Sequence, residues 1–339
     1  MEELAQIDGT TQEQAWCLPI LSELMLRKAA VEEELQIINK EKEKVEHLAM
    51  ASEFLVTKTV ANKEVWESTQ DWEPSVRAEF EQLVNEKKAV RQMSRSQFQD
   101  LARERQLPIA LLPGKMVLTR KAHSGAYRSR AVVCGNYQEV SNEDRCAGGA
   151  DGCQIRAMIR TVALHYWCLA GTDIRVAFLN APKRDATKIA AMEVPTIFKR
   201  LGLAGEEDVW VIEKALYGLV SSPWDWRLHQ DHVVPTLRWT RSVGEAVMEA
   251  RFVHSKHENL WPFMEININT VEEHSVGLMS VYVDDILIAA EKEIAQAAMM
   301  AVEKTWAISK VEWASDSPLR YRGFEVVADT CCSACLSRS

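Results

Sequence analysis

Two adjacent aspartates, Asp284 and Asp285, stand in the middle of the segment Val281-Tyr282-Val283-Asp284-Asp285-Ile286-Leu287-Ile288. Apolar and β-branched residues flank them on both sides, the pattern of two strands meeting at a polar turn. Such a turn would hold both carboxylates rigidly and keep them within reach of water. Bare burial of two like charges is costly, and a divalent cation relieves their repulsion. A solvated acidic turn has the same pattern, because aspartate is common in turns, and this segment alone does not separate the two. A further carboxylate shifts the weight. In Gly171-Thr172-Asp173-Ile174-Arg175-Val176-Ala177-Phe178-Leu179, one aspartate begins an otherwise β-type segment. On an adjacent antiparallel strand, Asp173 would come beside the Asp284 turn. Three carboxylates on neighbouring strand ends can hold two Mg²⁺ ions about 3.5–4 Å apart. One ion would activate a primer 3′-hydroxyl and the other would stabilise the leaving pyrophosphate.

A second stretch has the opposite charge. Between Gly114 and Gly135 there is no acidic residue, while Lys115, Arg120, Lys121, Arg128 and Arg130 are basic. Residues 115–119 and 127–135 are β-type runs, and His123-Ser124-Gly125 supplies turn residues between them, which predicts a hairpin. Positive charge can protect a solvated hairpin edge from aggregation, or it can bind phosphate. The hairpin by itself does not choose.

The whole chain sets this local charge in relief. It has 339 residues, 47% of them hydrophobic, and a net charge of -9. That length can bury a sizeable core in one large domain or two. The negative balance excludes a protein coated in basic charge, so any nucleic-acid contact must be local. The eight cysteines are scattered and Met1 to Gly9 is acidic rather than basic. These features predict reduced thiols and no secretory leader, hence a soluble cytoplasmic or nuclear protein with no membrane partner. No apolar run is long enough to span a bilayer. Cys332 and Cys335 have zinc-ligand spacing, but His229 with His232 and His254 with His257 stand apart from them, so no zinc site is expected.

The elements that must position these groups follow from periodicity. Residues 21–51 read as one charged helix, with Leu24, Val31, Ile38 and Val45 recurring every seven residues. Lys28 and Lys42 interrupt the adjoining row, which favours packing on the body over self-association through a coiled coil. Residues 72–88 form a second helical segment with Pro74 in its first turn and Trp72, Val76, Phe80 and Leu83 on one face. A loop-like stretch leads to Pro113-Gly114. Residues 155–169 and 222–236 read as helices, 171–179 as a strand, and 276–290 as two strands meeting at the acidic pair.

At this point the motifs resemble those of a known family. Tyr282-Val283-Asp284-Asp285 is similar to the Tyr-X-Asp-Asp box of reverse transcriptases, and Asp173 with Ala177-Phe178-Leu179-Asn180 to their Asp-X-X-X-Ala-Phe-Leu-Asn motif. Ala215-Leu216-Tyr217-Gly218-Leu219 with Pro223 and Trp226 resembles the Ala-Leu-Tyr-Gly-Leu-X-X-X-Pro-X-X-Trp motif of copia-type LTR retrotransposons. Tyr127-Arg128-Ser129-Arg130-Ala131-Val132, followed by Gly135 and Gln138, resembles that class's Tyr-Lys-Ala-Arg-Leu-Val. Arg322-Gly323-Phe324-Glu325-Val326 resembles its closing Leu-Gly-X-Glu-X. The likeness runs in family order over residues 70–328. Each motif is weak alone, and their shared order is what makes them specific.

The resemblance implies an α+β fold: a right-hand polymerase palm, an antiparallel sheet backed by helices, with a fingers subdomain. Residues 1–65 would be a charged helical extension, 66–165 the fingers-like region, 166–330 the palm and 331–339 a tail. It implies an RNA-directed DNA polymerase that takes deoxynucleoside triphosphates and an RNA or DNA template with primer. Asp173, Asp284 and Asp285 would be catalytic and hold two Mg²⁺ ions (or Mn²⁺), with the Ile174 carbonyl completing the shell. Phe178 would be a steric gate against the ribose 2′-hydroxyl, although an ordinary buried aromatic has the same spacing. Arg128 and Arg130 would hold the triphosphate in their forked guanidiniums, with Lys115 and Lys121 as weaker contacts. The family usually has Lys at the place of Arg128. Tyr217 and Gly218 would lie against the nascent base pair, and Tyr282 beside the primer end. Tyr321, Arg322, Gly323 and Phe324 would grip the primer, with Arg322 where most of the class has Leu.

A full copia-type enzyme would continue into a thumb or connection and an RNase H domain. The chain is therefore expected to be a fragment, a decayed element or a truncated product, with weak grip on its strands because phosphate contacts supply most sequence-independent affinity. The alternative is a non-catalytic, domesticated or decayed fragment that binds nucleic acid or a protein partner.

Overall fold

The computed structural model describes residues 57–60, 62–121, 124–138, 152–183, 187–255, 259–322, 324–329 and 333–338. The expected helix at 21–51, residue Gly323 and Cys332 lie outside them. The chain divides into two compact units. Of the described residues, the first holds 57–60, 119–121 and 124–127, in which Thr57–Thr59 pairs antiparallel with 119–121. The second holds the remaining described residues. No helix among the described residues is long and apolar enough to cross a membrane.

The second unit mixes helices and sheets. Its largest sheet has seven strands in the order Glu312–Trp313, Cys168–Asp173, Asp285–Ala290, Glu273–Tyr282, Leu260–Asn267, Ala246–Phe252 and Arg238–Val243, every neighbour antiparallel. Strand Asp285–Ala290 lies inside this sheet and is covered on both faces. Ile286, Ile288 and Ala290 join a core built with helices Ser222–Val233 and Lys292–Glu303. Leu287 and Ala289 join a second core with helix Gly152–His165 and the hairpin of Leu319–Tyr321 and Phe324–Asp329. Burial on both faces explains why this strand is apolar without alternation.

A four-stranded sheet runs in the order Val90–Ser94, Asp208–Ile212, Ile189–Glu193 and Ile109–Leu112, the last pair parallel. It packs on helix Arg95–Arg105 through Phe98 and Ala102. The expected loop leading to Pro113-Gly114 thus holds a strand, a helix and another strand. That helix starts at a capping box: Gln97 N–H donates to Ser94 Oγ, and Ser94 N–H donates to Gln97 Oε1.

The expected helix at 72–88 begins earlier. Helix Thr69–Phe80 carries Pro74 in its interior and runs on as a wider turn, Glu81–Glu86. The strand expected at 171–179 is shifted as well. Strand Cys168–Asp173 ends at the aspartate instead of beginning there, and a 3₁₀ turn, Ala177–Asn180, follows. Val176 stands between them in the left-handed region at φ 48. Tertiary bonds impose this shape: Arg175 N–H donates to Ala307 O at 2.8 Å, and Ser309 N–H to Asp173 O at 2.8 Å.

Candidate active site

The acidic hairpin has a two-residue tip. Tyr282 pairs with Asp285, leaving Val283 and Asp284 to turn the chain. Val283 has φ 55, a conformation that costs a β-branched residue roughly 1–2 kcal/mol. Two side chains of helix Ser222–Val233 hold its carbonyl in place. Trp226 Nε1–H donates to Val283 O at 2.6 Å and Gln230 Nε2–H at 3.3 Å. Trp226 thus clamps the turn that carries the aspartates, a role its sequence position did not announce.

Strand pairing brings the third carboxylate. Asp173 is opposite Asp285, and Ile174 N–H donates to Asp284 O at 2.7 Å. This bond links the residue after Asp173 to the residue before Asp285, so the two aspartates form a non-hydrogen-bonded pair. In such pairs the Cα atoms are about 4.5 Å apart and the side chains share a face. The Asp285 carboxyl hydrogen-bonds Asp173, and it accepts from Arg322 N–H at 3.3 Å. The antiparallel bridge between Ile174 and Ile308 uses the flanking residues' amides and carbonyls. Ile174's own N–H and C=O therefore face the acidic hairpin.

The electrostatics follow from this crowding. Burial, then the bond to Asp173, pushes the Asp285 carboxyl up to about 7, against the pull of the Arg322 amide; the neighbouring charges of Asp284 and Asp173 push the same way. Asp284 is exposed at the tip, yet it too is raised. Loss of water around its carboxyl contributes most, and the Asp173 charge adds to it; its own N–H, Arg130 and Arg128 pull it back. Among the described residues no three carboxylate, imidazole or thiol groups are gathered as a formed metal cage. The donor set itself, three carboxylates and a carbonyl, is of the kind hard divalent cations take.

The arginines arrive on the basic strand Tyr127–Val133. Ser129, Ala131 and Val133 are buried while Arg128 and Arg130 face outward. Helix Thr69–Phe80 fixes that alternation from behind. Ser75 Oγ and Ser129 Oγ are 2.7 Å apart, and Ala131 N–H donates to Glu79 Oε1 at 2.8 Å. Burial raises the Glu79 carboxyl, and the Ala131 amide, Arg130 and Arg128 draw it back. Glu79 was not singled out in the sequence; a lone acid on the face of Trp72 and Val76 was its only signal.

Arg130 lies over the Tyr217 ring, 4.2 Å from its centroid, and Tyr217 meets Phe178 edge-on with centroids 5.7 Å apart. Burial raises the Tyr217 phenol, and Arg130 opposes this. Gly218 has φ 90, and a Cβ there would stand 2.0 Å from Val133 O. A Cβ on Gly135 would stand 2.1 Å from Gly218 O. Val133 N–H donates to Tyr217 O at 2.8 Å, and Val220 N–H to Gln138 Oε1 at 3.2 Å. Gly218 is therefore required by backbone packing, whatever else approaches it, and Gly135 and Gln138 lock the same loop to the basic strand.

The expected primer-grip residues divide. Tyr321 is buried, its hydroxyl 2.8 Å from Ser280 Oγ, and it supports the hairpin from beneath. Phe324 packs partly into the same core. Arg322 is in the left-handed region at φ 52, with its guanidinium 4.8 Å from the Tyr282 ring centroid. Lys115 and Lys121 are exposed on the basic hairpin.

Asp173 paired with Asp285 beside Asp284, with the charges of Arg130 and Arg128 acting on Asp284, is an arrangement that can handle phosphate groups. No family model matches the chain, and no curated protein matches it. Among solved structures it is similar to a foamy viral protease-reverse transcriptase in complex with double-stranded DNA, at 11% identity and a TM-score of 0.40, over 76% of this chain and 34% of that one. It is also similar to apo telomerase from Candida tropicalis truncated from its C-terminal domain, at 8% identity and a TM-score of 0.38, over 79% of this chain and 60% of that one. The chain thus spans less than two thirds of the length of either.

Proposed function

We propose that the chain is the fingers-and-palm portion of an RNA-directed DNA polymerase of the copia-type retrotransposon class. It would add deoxynucleotides to a primer paired with an RNA or DNA template. The observation that carries this reading is the pairing of Asp173 with Asp285, which brings a carboxylate from a distant segment beside the adjacent Asp284 and Asp285.

In the reaction, the primer 3′-oxygen bonds to the α-phosphorus of the incoming nucleotide. The bond to pyrophosphate breaks, and the hydroxyl proton is released. Asp173, Asp284 and Asp285, with the Ile174 carbonyl, are the groups that would hold Mg²⁺, which would supply charge neutralisation at the transferred phosphoryl. Arg128 and Arg130, whose charges bear on Asp284, would bind the triphosphate oxygens. Glu79 and Ser75 would hold their strand in register. Phe178, packed on Tyr217, would fill the space that a ribose 2′-hydroxyl needs. Tyr282, with Arg322 over its ring, would flank the primer end.

One observation favours a second reading, a non-catalytic fragment that binds nucleic acid. Asp285 is engaged by Asp173 and by the Arg322 amide. Primer extension on an RNA template with Mg²⁺ decides between them, with wild type and Asp284→Asn compared. Extension by wild type that is lost in the variant, at unchanged thermal stability, supports the polymerase. Equal signal from both dismisses catalysis here. Salt-dependent RNA binding without extension supports the second reading.

A further inference from the structure

We propose that Lys87 and Lys214 together grip one backbone phosphate of a nucleic-acid strand passing the 3₁₀ turn Ala177–Asn180. The identity of that ligand rests on the polymerase reading.

The two lysines are far apart in sequence and the backbone brings them together. Glu213 and Lys214 both donate their N–H groups to Ala89 O, at 2.9 and 3.2 Å. Lys214 forms an isolated bridge with Pro182, and Ala215 N–H donates to Ala181 O at 3.0 Å. From the other side, Lys87 Nζ donates to Asn180 Oδ1 at 2.8 Å. The Asn180 amide is itself tied down, donating to Arg175 O and Val176 O at 3.4 Å. Both lysines are half-buried. A solubilising lysine would extend into water, and these two are held against the fold.

Among the described residues neither ammonium has a carboxylate within ion-pair distance, and Glu213 is bound to Arg91 Nε at 3.1 Å. Partial burial, then the charge of Lys87, holds the Lys214 ammonium below its usual range. His229 feels Lys214 and is held low by burial, by His232 and by Lys214. Two like charges that act on one another, in a chain of net charge -9, thus have among the described residues no carboxylate at ion-pair distance to offset their repulsion. A phosphodiester offsets it, with one negative charge and two oxygens that accept from both ammoniums. A nucleotide is the other source of phosphate. Arg128 and Arg130 act on Asp284 and would hold the nucleotide, whereas Lys87 and Lys214 are anchored at the end of the turn, at Asn180 and Pro182, and are assigned to the strand.

The test is fluorescence anisotropy of the full chain with a labelled DNA primer–template duplex, in magnesium-free buffer with EDTA, over a range of KCl. Wild type is compared with Lys87→Gln, Lys214→Gln, the double variant, Lys214→Arg and the neighbouring exposed control Lys88→Gln. Each single substitution should make log K against log salt less steep by about 0.7 to 0.9, and the double by no more, because the same phosphate contact is lost each time. Lys214→Arg and Lys88→Gln should keep the wild-type slope, and thermal midpoints should be unchanged. An unchanged slope in the double variant overturns the proposal, as does absence of salt-dependent binding by wild type. A double effect near twice the single would mean two phosphates and overturns the shared grip. In a separate primer-extension assay with Mg²⁺, a raised KM for deoxynucleotide at unchanged anisotropy slope would move the pair to the nucleotide and also overturns it. The anisotropy assay contains no reaction, so a failure of primer extension with the slope changes intact would strike only the polymerase reading.

Discussion

Replacing Asp285 by Asn tests the carboxylate pairing without any assay of catalysis. In the unfolded chain this carboxyl releases its proton near 3.8, the ordinary value for aspartate, and in the fold near 7. Between these values the folded state holds a proton that the unfolded state has lost. Stability therefore falls as pH rises through this window and levels off above 7. About three pK units at ~1.4 kcal/mol each give ~4 kcal/mol as an upper bound. Water reaches part of the site, and screening brings the expected loss to roughly 2 kcal/mol. An Asn can still accept from Arg322 N–H and can donate its amide to Asp173, so it imitates the protonated aspartate at every pH. Urea unfolding without divalent cations should show wild type losing roughly 2 kcal/mol between about pH 4 and pH 8 relative to Asp285→Asn. Parallel profiles for the two proteins would refute the shared proton and, with it, the close pairing of Asp173 and Asp285.

Three further substitutions probe the frame around the carboxylates. Trp226→Phe removes the N–H that holds Val283 O at 2.6 Å and keeps most of the ring; it should cost about 1–2 kcal/mol in urea unfolding and lower primer extension in the surviving folded protein. Gly218→Ala places a Cβ 2.0 Å from Val133 O at φ 90 and should destabilise by roughly 2–4 kcal/mol, read as a shifted urea midpoint; an unchanged midpoint would contradict the close packing. Phe178→Val opens the space beside Tyr217 and should raise ribonucleotide incorporation relative to deoxynucleotide; no change would reject the gate.

The acidic hairpin could be read from the sequence because its two strands are apolar and its tip is not, and the pairing at Tyr282 and Asp285 follows. The alternation on the basic strand was legible for the same reason: Arg128 and Arg130 interleave with small or apolar residues that turn inward. The segment after Asp173 was not. Val176-Ala177-Phe178-Leu179 has strand composition, but hydrogen bonds of the preceding residues with distant residues 307 and 309 bend it into a 3₁₀ turn through a left-handed valine, and local propensity yields to such tertiary bonds. Helix Arg95–Arg105 is polar over most of its surface and escaped periodicity, although Ser94 and Gln97 spell its capping box. The partners of the site were least visible. Trp226 and Gln230 act through a carbonyl, and Glu79 through an amide, and no residue type at the receiving end marks such a bond.

The shortness of the acidic tip restricts how this part of the chain can change over time. Residues along a strand alternate between faces, so one residue gained or lost between Tyr282 and Asp285 would turn Asp285 away from Asp173 and exchange the two cores that Ile286 and Leu287 fill. Substitution at position 283 alters strain and little else in the register. Position 283 can therefore drift in identity, while the length of the tip is fixed by the packing of the whole strand behind it.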